Sequence, residues 1–182
     1  TLVVCSTLSP RYLETLPGRM PEGIRLIDAP MSGAPVAAEE ARLSFMLGGE
    51  AADLDRLTPL FDAMGRVSHR MGPFGAGMKG KVLNNFVAAA SVVAVRQVRN
   101  WADEIGVDRE RLMALMHDSS GQTWFGSQFD RIEFARHGQE PGNTIAVLTK
   151  DVRACLDGVG VPEEAGFQGA LLAALEALER EG

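Results

Sequence analysis

The segment Gly75-Ala76-Gly77-Met78-Lys79-Gly80-Lys81-Val82-Leu83-Asn84-Asn85 sets a lysine early in a long predicted helix, with an asparagine four residues on. Positions i and i+4 share a helix face, so Lys81 and Asn85 can address one ligand together. An ammonium near a helix start meets the positive end of the backbone dipole. That field, like burial, disfavours the charged form and suits a lysine to acid/base work near neutral pH. Lys79 adds a second ammonium beside it and pushes the same way.

The glycines of this segment also spell GxGxxG, with a possible strand, Arg66–Met71, before them. A dinucleotide fingerprint needs an acidic residue at the end of the next strand, about 20 residues on. That distance falls near Asp103 and Glu104, inside the continuing helix, so the glycines read as a hinge where loop becomes helix.

Other residues stand where an open α/β sheet gathers ligands, beyond the carboxyl ends of its strands. One strand delivers Ser6-Thr7 and another Pro30-Met31-Ser32-Gly33-Ala34. A small turn of the second kind can offer backbone N–H groups to an anion, with the Ser32 hydroxyl as a further donor; taken by itself, Pro30–Pro35 is more often a plain turn. Ser119–Trp124 ends a helix and either lines a cleft or caps it with Trp124 in the core. Lys150-Asp151 reads as a solvated ion pair on an otherwise apolar helix face.

The elements that must position these groups fall into two halves. Leu2–Cys5 is a short apolar run suited to a buried parallel strand. A helix follows from Ser9 as N-cap, with Pro10 at its first position, to about Leu16. Strands are expected at Ile24–Ala29, Leu43–Leu47 and Arg66–Met71, with a helix over Ala51–Met64 on the periodicity of Leu54, Leu57, Leu60 and Phe61. From Gly75 on the pattern is helical. A helix of about 40 Å covers Met78–Ile105 at 1.5 Å per residue. Its apolar centre, Phe86–Val98, should be buried on most sides. Gly106 ends it, Asp108 caps Arg109–His117, and helices are expected at Ser127–Arg136, Thr144–Gly158 and Glu163–Glu181. Residues 1–73 thus form an α/β part and 74–182 an all-helical part. So few strands make a thin sheet with one face poorly covered, as in the second half of a larger doubly wound sheet.

Composition narrows the function. The chain has 182 residues, 46% of them hydrophobic, enough for a real core. Its formal charge of −6, without basic clusters, argues against nucleic acid. The longest apolar run, Phe86–Val95, is far short of the ~20 residues a membrane span needs. Cys5 and Cys155 read as free, buried thiols of a reducing cytoplasm. His69, His117 and His137 lack metal-ligand spacing, so no metal site is expected. The chain opens directly on a strand-like run and reads as though it begins mid-protein.

In order, Ser6-Thr7-Leu8-Ser9-Pro10, Asp28-Ala29-Pro30-Met31-Ser32-Gly33, Leu43-Ser44-Phe45-Met46-Leu47-Gly48-Gly49, the Gly75–Asn85 segment, Ser119–Trp124 and Lys150-Asp151 resemble the β-hydroxyacid dehydrogenase family, in its 3-hydroxyisobutyrate dehydrogenase-like branch. The resemblance spans essentially the whole chain. It implies the C-terminal part of a Rossmann-type sheet followed by an all-α domain. It also implies hydride transfer between NAD or NADP and a small 3-hydroxy acid. By position, Lys81 resembles the catalytic acid/base. Asn85 resembles a substrate-holding residue, as do Ser32, Gly33 and Ala34 at the substrate carboxylate. Thr7 and Lys150 resemble cofactor contacts. Lys81 itself argues against imine reductases, and Asn84 against 6-phosphogluconate dehydrogenases, which carry histidine there.

Departures from the family pattern are specific. Ala34 and Ala41 stand where glycine is usual, and Gln97 where glutamate is. The strand–GxGxxG–helix module that binds the dinucleotide pyrophosphate is not found in these residues. The expectation is a dehydrogenase fragment, inactive alone, that associates into a homo-oligomer through its helical part. The alternative is a non-catalytic helical dimerisation or scaffold module of dehydrogenase ancestry.

Overall fold

In the computed structural model, which describes residues 1–140, 142 and 145–181, two short apolar runs start the sheet. Strand β1 (Leu2–Val4) pairs in parallel with β2 (Leu26–Asp28), Leu2 opposite Leu26 and Val4 opposite Asp28. Helix α1 (Pro10–Glu14) lies in the crossover, with proline at its start as expected. Ser9 occupies the cap position, but its hydroxyl donates to Asp157 instead of capping the helix. Strand β1 is parallel as expected but not buried, with Leu2 exposed and Val3 and Val4 partly covered.

Past Asp28 the chain stays extended. Pro30 has no N–H to give, yet its carbonyl accepts from Met46, and β3 (Met31–Ser32) continues the ladder. Both β2 and β3 run antiparallel to β4 (Leu43–Gly48), with Asp28 opposite Gly48, Met31 opposite Phe45 and Ser32 opposite Ser44. Helix α2 (Ala34–Glu39) bridges β3 to β4, and neither β3 nor α2 was expected. Helix α3 (Ala51–Met64) then leads to β5 (Gly65–Gly72), parallel to β4. The sheet is therefore mixed. Its core gathers Ile27, Ala29, Leu43, Phe45, Leu47, Leu54 and Phe61, with the Phe45 and Phe61 rings 5.1 Å apart.

Helix α4 (Ala76–Ile105) buries Met78, Val82, Asn85, Ala89, Val92, Arg96 and Arg99, a stripe at three- and four-residue spacing. Leu83, Val87 and Trp101 on its other side are more than half exposed; within Phe86–Val98, expected to be buried on most sides, the exposed residues are Val87, Ala94 and Gln97. Gly106, at φ 74°, ends the helix, and Asp108 caps α5 (Arg109–His117) through the Arg111 amide. The expected helix over Ser127–Arg136 is instead a short α6 (Trp124–Ser127) and a 3-10 turn at Phe129–Arg131. Thr123 N-caps α6 by accepting the Gly126 amide, and Trp124 is more than half exposed instead of packing in the core. Helix α7 spans Ile145–Val159; the expected start at Thr144 lies outside the described residues. Helix α8 spans Gly166–Glu176.

These elements part into two compact units: Thr1–Asn84 with Arg153–Pro162, and Asn85–Val152 with Glu163–Gly182. Cys155 is buried as expected, whereas Cys5 is exposed; both are free. Among the described residues no helix is long and apolar enough to cross a membrane, and no three metal-ligating side chains converge.

Candidate functional site

The first turn of α4 is tied to both strand ends in its own unit. The Asp28 carboxylate, closing β2, accepts the Gly75 amide at 2.7 Å and the Met78 amide at 2.5 Å. Leu8, just after Thr7, donates its amide to the Met78 sulfur at 3.3 Å. Met78 packs with Leu13 and Leu16, against which Val4, Leu8 and Leu26 also lie. Of the three glycines, Gly75 makes the turn, at φ 92°. Gly77 serves close packing instead: a Cβ there would lie 2.3 Å from the Met46 carbonyl oxygen. The hinge reading thus holds for Gly75 alone.

Lys81 follows one turn into the helix and Asn85 one turn further, on the same face; each is only 7% exposed. Burial of a lysine to this degree is uncommon and calls for a specific setting. The helix dipole counted in the sequence argument does not act unopposed, because Asp28 lays a carboxyl group against the first amides. Lys79 does not crowd Lys81 as expected either; it faces outward and pairs with Glu14 at 3.0 Å. Burial pushes the Asp28 carboxyl above its ordinary range, while the amides of Gly75 and Met78 pull it back.

In the other unit, Asn85 donates its side-chain amide to Asp151 Oδ2 at 2.6 Å. Asp151 is buried, and the Lys150 ammonium, half exposed, sits 2.6 Å from its other oxygen. The expected solvated pair is therefore solvated on the lysine side only. Asp151 lies on the apolar stripe of Ile145, Leu148, Val152 and Cys155, and that placement was the signal for its role. Asp28 carried a like signal: a charged residue ending the apolar run Leu26-Ile27.

Ser32, Gly33 and Ala34 mark the junction of β3 with α2 and are all partly exposed. Gly33, at φ 139°, leaves no room for a side chain, since a Cβ would fall 2.5 Å from that of Ala37. Ala34 and Ala41, the two alanines in glycine positions, both take positive φ, 58° and 50°. Thr7 lies beyond the carboxyl end of β1, partly exposed. This arrangement places hydroxyl donors at the mouths of two strands and a buried amine at the start of the following long helix. Such groups suit an anionic substrate that gives up or takes a proton.

Residues 1–73 match the family described as the NAD binding domain of 6-phosphogluconate dehydrogenase. Residues 75–181 match that described as NAD-binding of NADP-dependent 3-hydroxyisobutyrate dehydrogenase. Over 126 residues, 68% of this chain and 42% of the relative, the sequence is 36% identical to an NAD-dependent L-serine dehydrogenase of Pseudomonas aeruginosa. Over 154 residues, 81% of this chain and 48% of the relative, it is 30% identical to the mitochondrial 3-hydroxyisobutyrate dehydrogenase of Drosophila melanogaster. The chain thus spans about half the length of these curated relatives. Among solved structures, Mycobacterium tuberculosis 3-hydroxyisobutyrate dehydrogenase with L-serine aligns at a TM-score of 0.73 and 26% identity, covering 96% of this chain and 62% of that one. A protein in complex with NADP+ shares the fold at a TM-score of 0.78 and 18% identity, covering 94% of this chain and 60% of that one.

Proposed function

This chain belongs to the 3-hydroxyisobutyrate dehydrogenase-like branch of the β-hydroxyacid dehydrogenases, whose cofactor is NAD or NADP. From that premise we propose that it carries the proton-relay and carboxylate-holding groups of an NAD(P)-dependent dehydrogenase of small 3-hydroxy acids, 3-hydroxyisobutyrate-like or tartronate-semialdehyde-like in the product or substrate. NAD or NADP, when bound, would supply the acceptor for the carbinol hydride. The Lys81 amine takes the hydroxyl proton as that hydride leaves, and returns it in the reverse reduction. Asn85 holds the reacting hydroxyl, kept in place by Asp151. Ser32 and the amides of Gly33 and Ala34 hold the substrate carboxylate. Thr7 and Lys150 contact the cofactor.

The observation that carries this reading is a buried lysine and a buried, carboxylate-anchored asparagine one turn apart on a single helix. A solvated helix face would not bury either side chain.

The pyrophosphate-binding GxGxxG turn is proposed to lie outside these 182 residues, so that they bind the dinucleotide weakly and turn over nothing by themselves. Association into a homo-oligomer through the helical unit is supported by its exposed apolar side chains Val87, Trp101 and Phe167. Two free cysteines accord with a cytoplasmic location.

The test is a panel of 3-hydroxy acids offered to the complete protein with NAD and with NADP, followed by nicotinamide absorbance. Turnover of a 3-hydroxy acid is expected. Saturable nucleotide binding without oxidation of any member would favour the non-catalytic dimerisation or scaffold module instead.

A further inference from the structure

We infer that Asp28 is a positioning residue for Lys81, fixing the place at which α4 delivers the amine; the inference rests on the dehydrogenase reading above. Asp28 is fully buried. Its two oxygens bond to Gly75, the residue before the helix, and to Met78, the third residue within it. These two bonds bracket the first turn, so both the height of the helix start and its rotation are set from the sheet. Both oxygens act as acceptors, a pattern that suits the ionised carboxylate.

A helix ordinarily receives its cap from the residue just before it, commonly Ser, Thr, Asp or Asn. Position 75 is glycine and has no side chain to offer. The cap comes instead from the end of β2, 47 residues earlier. The fold therefore couples helix to sheet at the one turn that precedes Lys81.

The carboxylate has no slack of its own. A Cβ at Gly48, its partner across the sheet, would lie 2.2 Å from Asp28 Oδ1, and one at Gly77 would lie 2.9 Å from Oδ2. Two glycines thus make room for one carboxyl group. Lys81 follows Met78 by three residues, less than a full turn, and moves with any shift of that turn. Misplacing a reacting group by about 1 Å can cost about 100-fold in rate.

The experiment compares Asp28→Ala, Asp28→Asn and Lys81→Ala in the complete protein, measuring kcat, both KM values and thermal melts. For Asp28→Ala the expected result is a kcat lowered about 100-fold with KM for acid and nucleotide little changed. Asp28→Asn, which keeps one oxygen acceptor, recovers a large part of the loss. Where Asp28→Ala does not fold, Asp28→Asn against wild type carries the test, and a partial fall in kcat at unchanged KM and melting temperature is expected. Wild-type turnover with Asp28→Ala and Asp28→Asn both near wild-type kcat overturns this inference alone. So does a loss that Asn does not relieve and that follows the unfolded fraction. Absence of 3-hydroxy acid oxidation by the wild type overturns the dehydrogenase reading, and this inference with it.

Discussion

Asn85 gives its side-chain amide to a buried oxygen of Asp151, 66 residues along the chain, at 2.6 Å. The bond is charge-assisted and closed to water on the Asp151 side, so it holds the asparagine side chain in one position. Asp151→Ala removes this hydrogen bond to a charged group in a buried place, and a loss of about 1–3 kcal/mol is expected in denaturant unfolding. If the proposed substrate role of Asn85 holds, KM for the hydroxy acid also rises. A double-mutant cycle with Asn85→Ala reads the coupling directly, and additive losses would contradict it.

The alanine at position 41 is held in left-handed backbone at φ 50°. That region costs a side-chain-bearing residue roughly 1–2 kcal/mol. Glycine removes this cost but brings more unfolded-chain freedom, worth about 0.4–1 kcal/mol. Ala41→Gly should therefore raise stability by about 0.5–1 kcal/mol, seen as a higher denaturation midpoint at unchanged slope. Ala34→Gly relieves the same strain beside the proposed carboxylate site, and a lower KM for the acid is expected with it.

Burial raises the Asp28 carboxyl above its ordinary value, against the opposing pull of the Gly75 and Met78 amides. A group raised in this way binds more protons folded than unfolded, so its contribution to stability falls as pH rises. The contribution is fully present below the ordinary aspartate range near pH 3.9 and is lost as pH rises through the raised folded value. The wild-type stability minus that of Asp28→Asn should decline across that window and then level off. A difference that climbs with pH would reverse the sign and refute the cause.

Arg96 and Glu181 form an ion pair at 2.8 Å with side chains only 4% and 7% exposed, and Arg99 reaches the same carboxylate at 3.2 Å. Arg96 also donates to the carbonyls of Ala135 and His137. Desolvation lowers the proton affinity of the Arg96 guanidinium, and Glu181 restores part of it. Removing the carboxylate strands a buried cation, so Glu181→Ala should cost about 3–5 kcal/mol in unfolding free energy. A cost below 1 kcal/mol would show that water already screens the pair.

Legibility in the sequence followed the strength of local pattern. Helix α3 was readable end to end because Leu54 and Phe61 recur at helical spacing, and Gly106 and Asp108 punctuate the chain where α4 ends and α5 begins. Strand β3 was hidden by Pro30, whose missing N–H looks like a break although its carbonyl still pairs. Phe129, Ile132 and Ala135 recur every three residues and imitate a helix, yet they serve a 3-10 turn and the loop after it. For the site, the relation of Lys81 to Asn85 is local and was visible in the spacing. The bonds of Asp28 to Gly75 and of Asp151 to Asn85 join residues 47 and 66 apart, and only the fold brings them together.

The most direct measurement replaces Lys81 by alanine in the complete protein and follows oxidation of the preferred 3-hydroxy acid in single turnovers. Loss of its proton carrier should slow the chemical step by about 10²–10⁴-fold, with nucleotide binding and the melting temperature retained. Added small primary amines should restore part of the rate. A rate constant equal to wild type in a folded, nucleotide-saturated variant would contradict the account.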